Sequence, residues 1–145
     1  MKIALASDHA GYQLKEGLKS YLSNFDVIDF GTDSPQSMDY PDTGFAAAEA
    51  VGKGECDKGI LICGTGIGMS IVANKVIGVR AALCTSVTIA KLSREHNDAN
   101  VLILPGRFMK IDEAKKIVDT WFSTEFDGGR HIRRLNKIKK YEDRR

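Results

Sequence analysis

The chain has 145 residues, of which 21 are Lys or Arg, 19 are Asp or Glu, and 43% are hydrophobic. This composition excludes an intrinsically disordered chain, and the length suits a single domain over 1–145 in which 130–145 form a basic C-terminal helix and tail. No apolar run approaches the ~18 residues of a membrane span, and Ser7-Asp8-His9 follows Met1 too closely for a secretory signal peptide.

Five short apolar runs predict the β-strands. Each run is continuously apolar rather than alternating, so we expect these strands to be buried on both faces of a sheet. The runs are Ile3–Ala6, Val27–Phe30, Gly59–Cys63, Val79–Leu83 and Val101–Leu104.

Helices are predicted between and after these strands. Two of them are clearly amphipathic, with apolar residues at helical spacing over 14–25 and 111–122, and three less regular ones are predicted at 45–51, 68–75 and 86–95. Gly128-Gly129 is expected to precede a final helix over Arg130–Lys140. Alternating strands and helices of these lengths predict an α/β fold: a three-layer α/β/α sandwich around a five-stranded parallel, Rossmann-like sheet, with a C-terminal helix.

The three cysteines, Cys56, Cys63 and Cys84, include no C-x-x-C pair. An odd number without such a pair favours neither a disulfide framework nor a zinc site. We therefore expect free thiols, no bound metal and a reducing, cytoplasmic compartment.

The ligand of an open α/β sheet binds beyond the carboxyl ends of its strands. In this chain, polar or glycine-rich segments follow the first, third and fifth strands, and His96-Asn97-Asp98 lies just before the fifth. We expect all of these segments at one end of the sheet. The three that follow strands are Ser7-Asp8-His9, Cys63–Gly68 and Pro105-Gly106-Arg107.

The loop Gly64-Thr65-Gly66-Ile67-Gly68 is the most distinctive of these segments. It is a weak dinucleotide fingerprint, because it follows the third strand and has Met69 at the sixth position, and no Lys-Ser/Thr follows as in a Walker A loop. Its backbone N–H groups are suited to an anion, and a tight packing turn is the alternative. Cys63, at the start of this loop, is either a thiolate base or a small buried hydrophobe.

Charged and aromatic side chains add further candidates. His9 and His96, each next to acidic residues, are suited to acid catalysis or phosphate binding, although a loop histidine bound to a helix terminus is the alternative. Arg130 and Arg134 are four residues apart, so they share one helix face and can clamp one phosphate. Arg107 is a third cation, and Tyr40 either lines a pocket or packs.

These residues suit the transfer of a carbonyl between C1 and C2 of a sugar phosphate. That reaction needs a ring-opening acid, a base that moves a proton between two carbons, donors for the enediolate oxygen and a phosphate clamp. The chain offers His96, Cys63, the amides of Thr65–Gly68 and the pair Arg130/Arg134 in these roles. The reaction requires neither a redox cofactor nor a metal.

Five segments resemble the ribose-5-phosphate isomerase B family in order and spacing, and the likeness extends from Lys2 to about Lys139. The long cysteine-glycine and S-R-E-H-N-D segments are the most specific. The segments are Ser7-Asp8-His9, Asp39-Tyr40-Pro41, Ile62–Gly68, Ser93–Asn100 and Gly128-Gly129-Arg130-His131.

The resemblance implies interconversion of ribose 5-phosphate and ribulose 5-phosphate in the pentose phosphate pathway, without a metal or cofactor. It implies that Cys63 is the base, His96 the ring-opening acid and Thr65 with the loop amides the enediolate site. It also implies a homodimer or dimer of dimers with each site shared between two subunits, and neither a nucleic acid nor a membrane as partner. The resemblance further implies that phosphate is bound by His9, Arg107, Arg130 and Arg134. It implies that sugar oxygens are bound by Asp8, Tyr40 and Asn97.

One position separates two branches of this family. The branch that lacks the cysteine has a glutamate where this chain has Met69, and a thioether cannot accept a proton. The resemblance therefore makes Cys63 the only base of an isomerase here.

Other functions remain open from the sequence. An isomerase of allose 6-phosphate or galactose 6-phosphate would use the same groups, and a non-catalytic phosphate or nucleotide sensor would use the glycine loop alone. The segment Gly128–Arg145 has 8 Lys or Arg against 2 Asp or Glu, which favours an anionic partner. Because aromatic residues are sparse there, a small phosphorylated ligand is favoured over nucleic acid.

Overall fold

A computed structural model describes all residues, Met1–Arg145. The chain forms five strands and six helices in the order βαβαβαβαβαα. The strands are β1 (Lys2–Ser7), β2 (Asp26–Asp29), β3 (Lys58–Cys63), β4 (Ala81–Leu83) and β5 (Val101–Pro105). The helices are α1 (Tyr12–Tyr21), α2 (Tyr40–Gly52), α3 (Ile67–Asn74), α4 (Val87–Asn97), α5 (Ile111–Ser123) and α6 (Arg130–Glu142).

All five strands are parallel, in the order β2-β1-β3-β5-β4. The register aligns Ser7 of β1 with Ile62 of β3, and Cys63 with Pro105 of β5. The carboxyl ends of the three central strands therefore lie side by side at one edge of the sheet, which we call the carboxyl edge. The opposite edge, where the strands begin, is the amino edge.

Alternate residues of the central strands supply two separate cores. Ile60 and Ile62 of β3 belong to one cluster with residues of α1, α4 and α5, whereas Leu61 and Cys63 belong to a second with residues of α2 and α3. This alternation follows from the two-residue period of a strand that is covered on both faces. The predicted three-layer α/β/α architecture with a parallel sheet is thus confirmed.

The two outer strands differ from their prediction. Only Val27 of the four β2 residues is even partly buried, and all three β4 residues are partly exposed. The expectation that all five strands are buried on both faces is therefore wrong for these two. Each is an edge strand, so one of its sides lacks a neighbouring strand and fewer helices cover its faces.

The final helix, α6, lies at the amino edge. The preceding segment bonds to the end of α4 through the Asp127 amide and the Glu95 carbonyl (3.0 Å), and Glu142 at the far end accepts from the Gly78 amide, just before β4. No α6 residue belongs to either core cluster, and among its residues only His131 is buried. No helix in the chain is both long and apolar enough to cross a membrane.

Candidate active site

At the carboxyl edge the chain leaves two neighbouring strands toward opposite faces of the sheet. After β1 the chain enters α1 on one face of the sheet, and after the neighbouring β3 it enters α3 on the other face. Loops that part in this way leave a cleft between adjacent strand ends, which is where open α/β sheets bind ligands. The segments after β1 and β3 lie together at the carboxyl edge, as the sequence predicted.

Asp8 and His9 follow β1 at the carboxyl edge, and each is held by one backbone donor. Asp8 is 6% exposed, and its Oδ1 accepts from the Gly11 amide at 3.0 Å. The Nδ1 atom of His9 accepts from the Met38 amide at 3.2 Å, which in the neutral ring leaves the proton on Nε2. His9 is thus arranged to donate from Nε2.

The glycine loop forms the other wall and begins α3. Gly66, the N-cap of α3, has φ = 78°, a conformation that favours glycine, and a Cβ there would lie 2.6 Å from Leu83. The Thr65 hydroxyl oxygen accepts from the Ile67 amide at 3.2 Å, so its own proton remains available to a ligand. The amides of Gly68 and Met69, also in the first turn of α3, have no partner within the helix and are available to an anionic oxygen.

Tyr40 packs directly over this loop. A Cβ at Gly68 would lie 2.6 Å from Cζ of the Tyr40 ring, so only a glycine allows the ring its position. Tyr40 is the first residue of α2 and is 38% exposed. The phenol therefore lies beside the N-terminus of α3 with part of its surface open to a ligand.

Cys63 is the last residue of β3 and is 4% exposed. Its side chain belongs to the cluster formed with α2 and α3, and its carbonyl accepts from the Gly106 amide at 2.8 Å. Met69 belongs to the same cluster, is fully buried, and packs against Gly44 of α2. The sulfur of Met69 is therefore a packing group, and Cys63 is the ionisable side chain at the end of β3.

Arg107 approaches the glycine loop from β5. Its amide donates to the Gly64 carbonyl at 3.0 Å, and a Cβ at Gly64 would lie 3.4 Å from its Cδ. The arginine is exposed, so its guanidinium is available to an anion near this loop. Asp8, His9, Tyr40, Cys63–Gly68 and Arg107 thus form one group, which we call the carboxyl-edge group.

His96 does not belong to that group within one chain, and the expectation that it lies at the same end is wrong. Helix α4 joins two parallel strands and therefore runs antiparallel to them, so its last residues, His96 and Asn97, are at the amino edge. The Nε of Arg80, just before β4, donates to the Asn97 carbonyl at 3.1 Å, which confirms that position. The length of β5, about 13 Å at ~3.3 Å per residue, separates this place from the end of β3.

The first turns of α6 join His96 at the amino edge. The ring of His131 stacks on that of His96 with centroids 4.4 Å apart and an interplanar angle of 16°. Burial lowers the pKa of His131, and the charges of His96, Arg130 and Arg134 lower it further, whereas Asp127 acts in the opposite direction. The amino-edge group comprises His96, Asn97, Arg130, His131 and Arg134, so the predicted phosphate clamp also lies away from Cys63 of its own chain.

Three possible metal ligands occur in this region. Donor atoms of His96, Asp127 and His131 lie within 4.8 Å of one another. The imidazole lone pairs, however, lie in the planes of two nearly parallel stacked rings, so they do not converge on one ion. As arranged, these side chains form a stack and not a chelating site.

No role for His131 itself is predicted from the sequence, where it belongs only to the segment Gly128–His131 that resembles the family. The 34 residues between His96 and His131 contain no spacing signal for this stack, because the contact depends on the path of α6 after α5. The backbone donor to His9, from Met38, was missed for a similar reason, since a loop amide has no sequence signature. The three cysteines are free and buried.

Comparison with known proteins gives the family of this chain. The family model described as Ribose/Galactose Isomerase matches residues 3–138. Ribose-5-phosphate isomerase B of Escherichia coli (strain K12) is 47% identical over 146 residues, which cover 99% of this chain and 98% of that protein.

Solved structures agree over almost the whole fold. Ribose-5-phosphate isomerase B of Clostridium thermocellum has a TM-score of 0.97 at 55% identity and covers 99% of each chain. The enzyme of Mycoplasma genitalium with bound ribulose-5-phosphate has a TM-score of 0.93 at 45% identity and covers 99% of this chain and 97% of that one. The chain therefore belongs to the ribose/galactose isomerase family and is an aldose–ketose isomerase.

Proposed function

We propose that this protein interconverts ribose 5-phosphate and ribulose 5-phosphate at sites that two copies of the chain build together. The substrate is supported by the relative from Mycoplasma genitalium, whose structure holds ribulose-5-phosphate and is superimposable on nearly all of this chain. The shared site is supported by one observation: Cys63 and His96 lie at opposite edges of the same sheet. Three free, buried thiols suit a reducing compartment, which we propose is the cytoplasm.

The carboxyl-edge group performs the proton transfer. Cys63 removes the C2 proton of the open-chain aldose and returns it to C1, so the same sulfur serves both carbons. The negative charge that develops on the enediolate oxygen is stabilised by the Thr65 hydroxyl and the amides of the α3 N-terminus. Asp8 and Tyr40 hold sugar hydroxyls, while His9 and Arg107 contact phosphate.

The amino-edge group of a second copy completes the site. His96 donates a proton to the ring oxygen and opens the furanose, Asn97 binds a sugar oxygen, and Arg130 with Arg134 clamps the phosphate. Each half is incomplete by itself, because one lacks the ring-opening acid and the other lacks the base. A two-fold axis that joins the carboxyl-edge group of one copy to the amino-edge group of the other makes two complete sites.

Exposed apolar side chains beside both groups support this pairing. On α3, Ile67 and Ile71 are 55% and 57% exposed and share a helix face that starts at the glycine loop. On α4, Ile89 and Leu92 are 46% and 36% exposed, and their face leads to His96. Such stripes are unusual on a monomer surface and are typical of an interface. The β4 edge between them is closed by Asn74, whose side chain bonds to both the amide and the carbonyl of Ala81, so packing rather than strand pairing would join the copies.

Mixing two inactive variants tests the shared site. In Cys63→Ala every site lacks the base, and in His96→Asn every site lacks the ring-opening acid. When the two are unfolded together and refolded, half of the dimers are hybrids, and one of the two sites in each hybrid has both residues. We expect about a quarter of wild-type ribose 5-phosphate turnover per subunit by this symmetry count.

Two controls accompany this measurement. Each variant refolded alone must stay inactive, and a mixture of Cys63→Ala with the double variant Cys63→Ala/His96→Asn must not recover, because no hybrid site has a base. Differential tagging shows whether hybrids form in the first mixture. If hybrids form and isomerase activity does not recover, both residues belong to the site of one subunit and the proposal is rejected.

Isomerisation of a hexose phosphate is the second candidate function, because the family is named for galactose as well as for ribose. The chemistry of Cys63 and His96 is the same for a sugar one carbon longer. Parallel assays with ribose 5-phosphate, allose 6-phosphate and galactose 6-phosphate distinguish the substrates. A kcat/KM for either hexose phosphate above that for ribose 5-phosphate would replace the pentose assignment.

A further inference from the structure

The end of the chain forms two contacts that the proposed chemistry does not use. Both carboxylate oxygens of Glu142 accept from the amide of Gly78, at 3.4 and 3.3 Å. The guanidinium of Arg145 donates to the carbonyl of Lys75 at 2.6 Å. Lys75 is the C-cap of α3, and Gly78 belongs to the turn that leads to β4, so both contacts fasten the tail to one short segment.

Between its two ends, α6 is loosely packed on its own chain. A cavity of about 350 Å³ lies under the helix, between Ile77 and Arg80 on one side and Leu135 and Ile138 on the other. Ile138 is 49% exposed. Few contacts therefore fix the middle of α6, and its direction depends on what holds its ends.

The two ends are held differently. At the start, the His131 ring stacks on His96. At the C-terminal end, the contacts of Glu142 and Arg145 with the 75–78 segment hold the helix. A helix behaves as a rod, and ~18 Å separates Arg130 from Glu142 at 1.5 Å per residue. If the far end is released, the rod pivots about the stacked histidines and the arginines of its first two turns change direction.

We propose that Glu142 and Arg145 are positioning residues for the phosphate clamp formed by Arg130 and Arg134. This inference rests on the proposed function, because it assumes that those arginines bind the substrate phosphate. Neither Cys63 on β3 nor His96 on α4 is carried by α6. Loss of the tail contacts therefore weakens phosphate binding and leaves the proton-transfer steps intact.

The chain supplies a matched control beside each residue. Asp143 is an acid next to Glu142, but its carboxylate makes no hydrogen bond or ion pair within the chain. Arg144 is an arginine next to Arg145, and its guanidinium lies over the Tyr141 ring, 5.6 Å from the centroid, without reaching the 75–78 segment. Each control removes the same charge as the residue it matches, so long-range electrostatic effects on an anionic substrate cancel.

The experiment measures KM and kcat for ribose 5-phosphate and the inhibition constant of inorganic phosphate. In Glu142→Ala and Arg145→Ala we expect both KM and the inhibition constant to rise about fivefold, equivalent to ~1 kcal/mol. We expect kcat within about twofold of wild type, since a loss of binding shared by substrate and transition state changes KM and not kcat. Asp143→Ala and Arg144→Ala should match wild type in all three quantities. Glu142→Gln, which keeps an acceptor for the Gly78 amide, should restore most of the phosphate affinity.

A double-mutant cycle with Arg134→Ala separates positioning from a general loss of structure. If Glu142 acts through the clamp, Glu142→Ala changes the phosphate inhibition constant much less in the Arg134→Ala background than in wild type. Equal effects in both backgrounds, or a KM that stays at the wild-type value, would overturn the inference. Wild-type protein that does not turn over ribose 5-phosphate would reject the proposed function, whereas an active wild type with unaltered tail variants rejects only the positioning role.

Discussion

The two edges of the sheet present their chemistry in different ways. At the carboxyl edge the strands end in register, so backbone amides, glycines and short side chains are fixed close together by the sheet itself. At the amino edge the groups lie on the last turn of α4 and the first turns of α6, and they are longer side chains that extend from these helices. The first arrangement provides the precision that a proton transfer between two carbons needs, and the second suits a phosphate clamp and a ring-opening acid.

Because of this difference, we expect substitutions at the two edges to change different kinetic parameters. We expect changes at the carboxyl edge to reduce kcat for every substrate. We expect changes at the amino edge to act on phosphate affinity or on the cyclic form of the sugar alone.

The largest effect is expected for the base. Replacing Cys63 by Ser keeps the size of the side chain but exchanges a thiol for a far less acidic hydroxyl, so we expect kcat for ribose 5-phosphate to fall about 10³-fold. The measurement is direct spectrophotometry of ribulose 5-phosphate formation, with Cys84→Ala as the control, because Cys84 is also buried and packs in the core on the opposite face of the sheet. A Cys63→Ser variant with a tenth or more of wild-type kcat would remove the base assignment.

The next effect depends on the form of the sugar. His96→Asn keeps a hydrogen-bonding side chain but loses the acid, so we expect about a 10²-fold loss in kcat/KM for cyclic ribose 5-phosphate. Erythrose 4-phosphate cannot close a five-membered ring and needs no ring opening, so the loss for this linear substrate should be at least tenfold smaller. Equal losses with both substrates would contradict a ring-opening role and move His96 into the proton transfer.

The sequence was sufficient to predict which residues meet at the carboxyl edge, but it did not predict which residues meet at the amino edge. The reason is physical. Residues such as Asp8 and Cys63 directly follow buried strands, and the ends of parallel strands meet at one edge whatever the strand order. His96 precedes β5, and a helix that connects parallel strands must return along the sheet, so the topology alone already indicates the opposite edge. The prediction that His96 lies beside the glycine loop fails for this reason.

Other features depend on tertiary structure that local sequence does not encode. The stacking of His131 on His96 requires the path of α6 across the amino edge, and the exposure of β2 and β4 requires the strand order. Helix limits were predicted to within a few residues where apolar periodicity is strong, as in α5. They were less accurate in α2, where the helix starts at Tyr40, ahead of the apolar residues that signal it.

A moderate effect is expected at the phosphate clamp. Arg134→Ala removes a charge-assisted donor, and we expect KM for ribose 5-phosphate to rise about tenfold with kcat reduced less than threefold. Arg133→Ala is the matched control, since it removes an adjacent exposed arginine that points away from the face shared by Arg130 and Arg134. If both variants raise KM equally, the effect is one of net charge, and the clamp assignment fails.

The smallest effect concerns stability and pH at the amino edge. Because burial and the neighbouring charges of His96, Arg130 and Arg134 lower the pKa of His131, the unfolded chain binds a proton at this residue more readily than the folded chain. The free energy of unfolding should therefore fall as the pH is lowered through about 6.5, the ordinary histidine pKa, and the contribution should level off below the folded-state pKa. Urea unfolding at a fixed protein concentration between pH 5 and 8 measures this slope. We expect His131→Gln to reduce the slope and Arg133→Gln, on an exposed side of the same helix, to preserve it. A slope that is unchanged in His131→Gln would mean that His131 titrates alike in the folded and unfolded chain, and the amino edge would then have no proton-linked contribution from this residue.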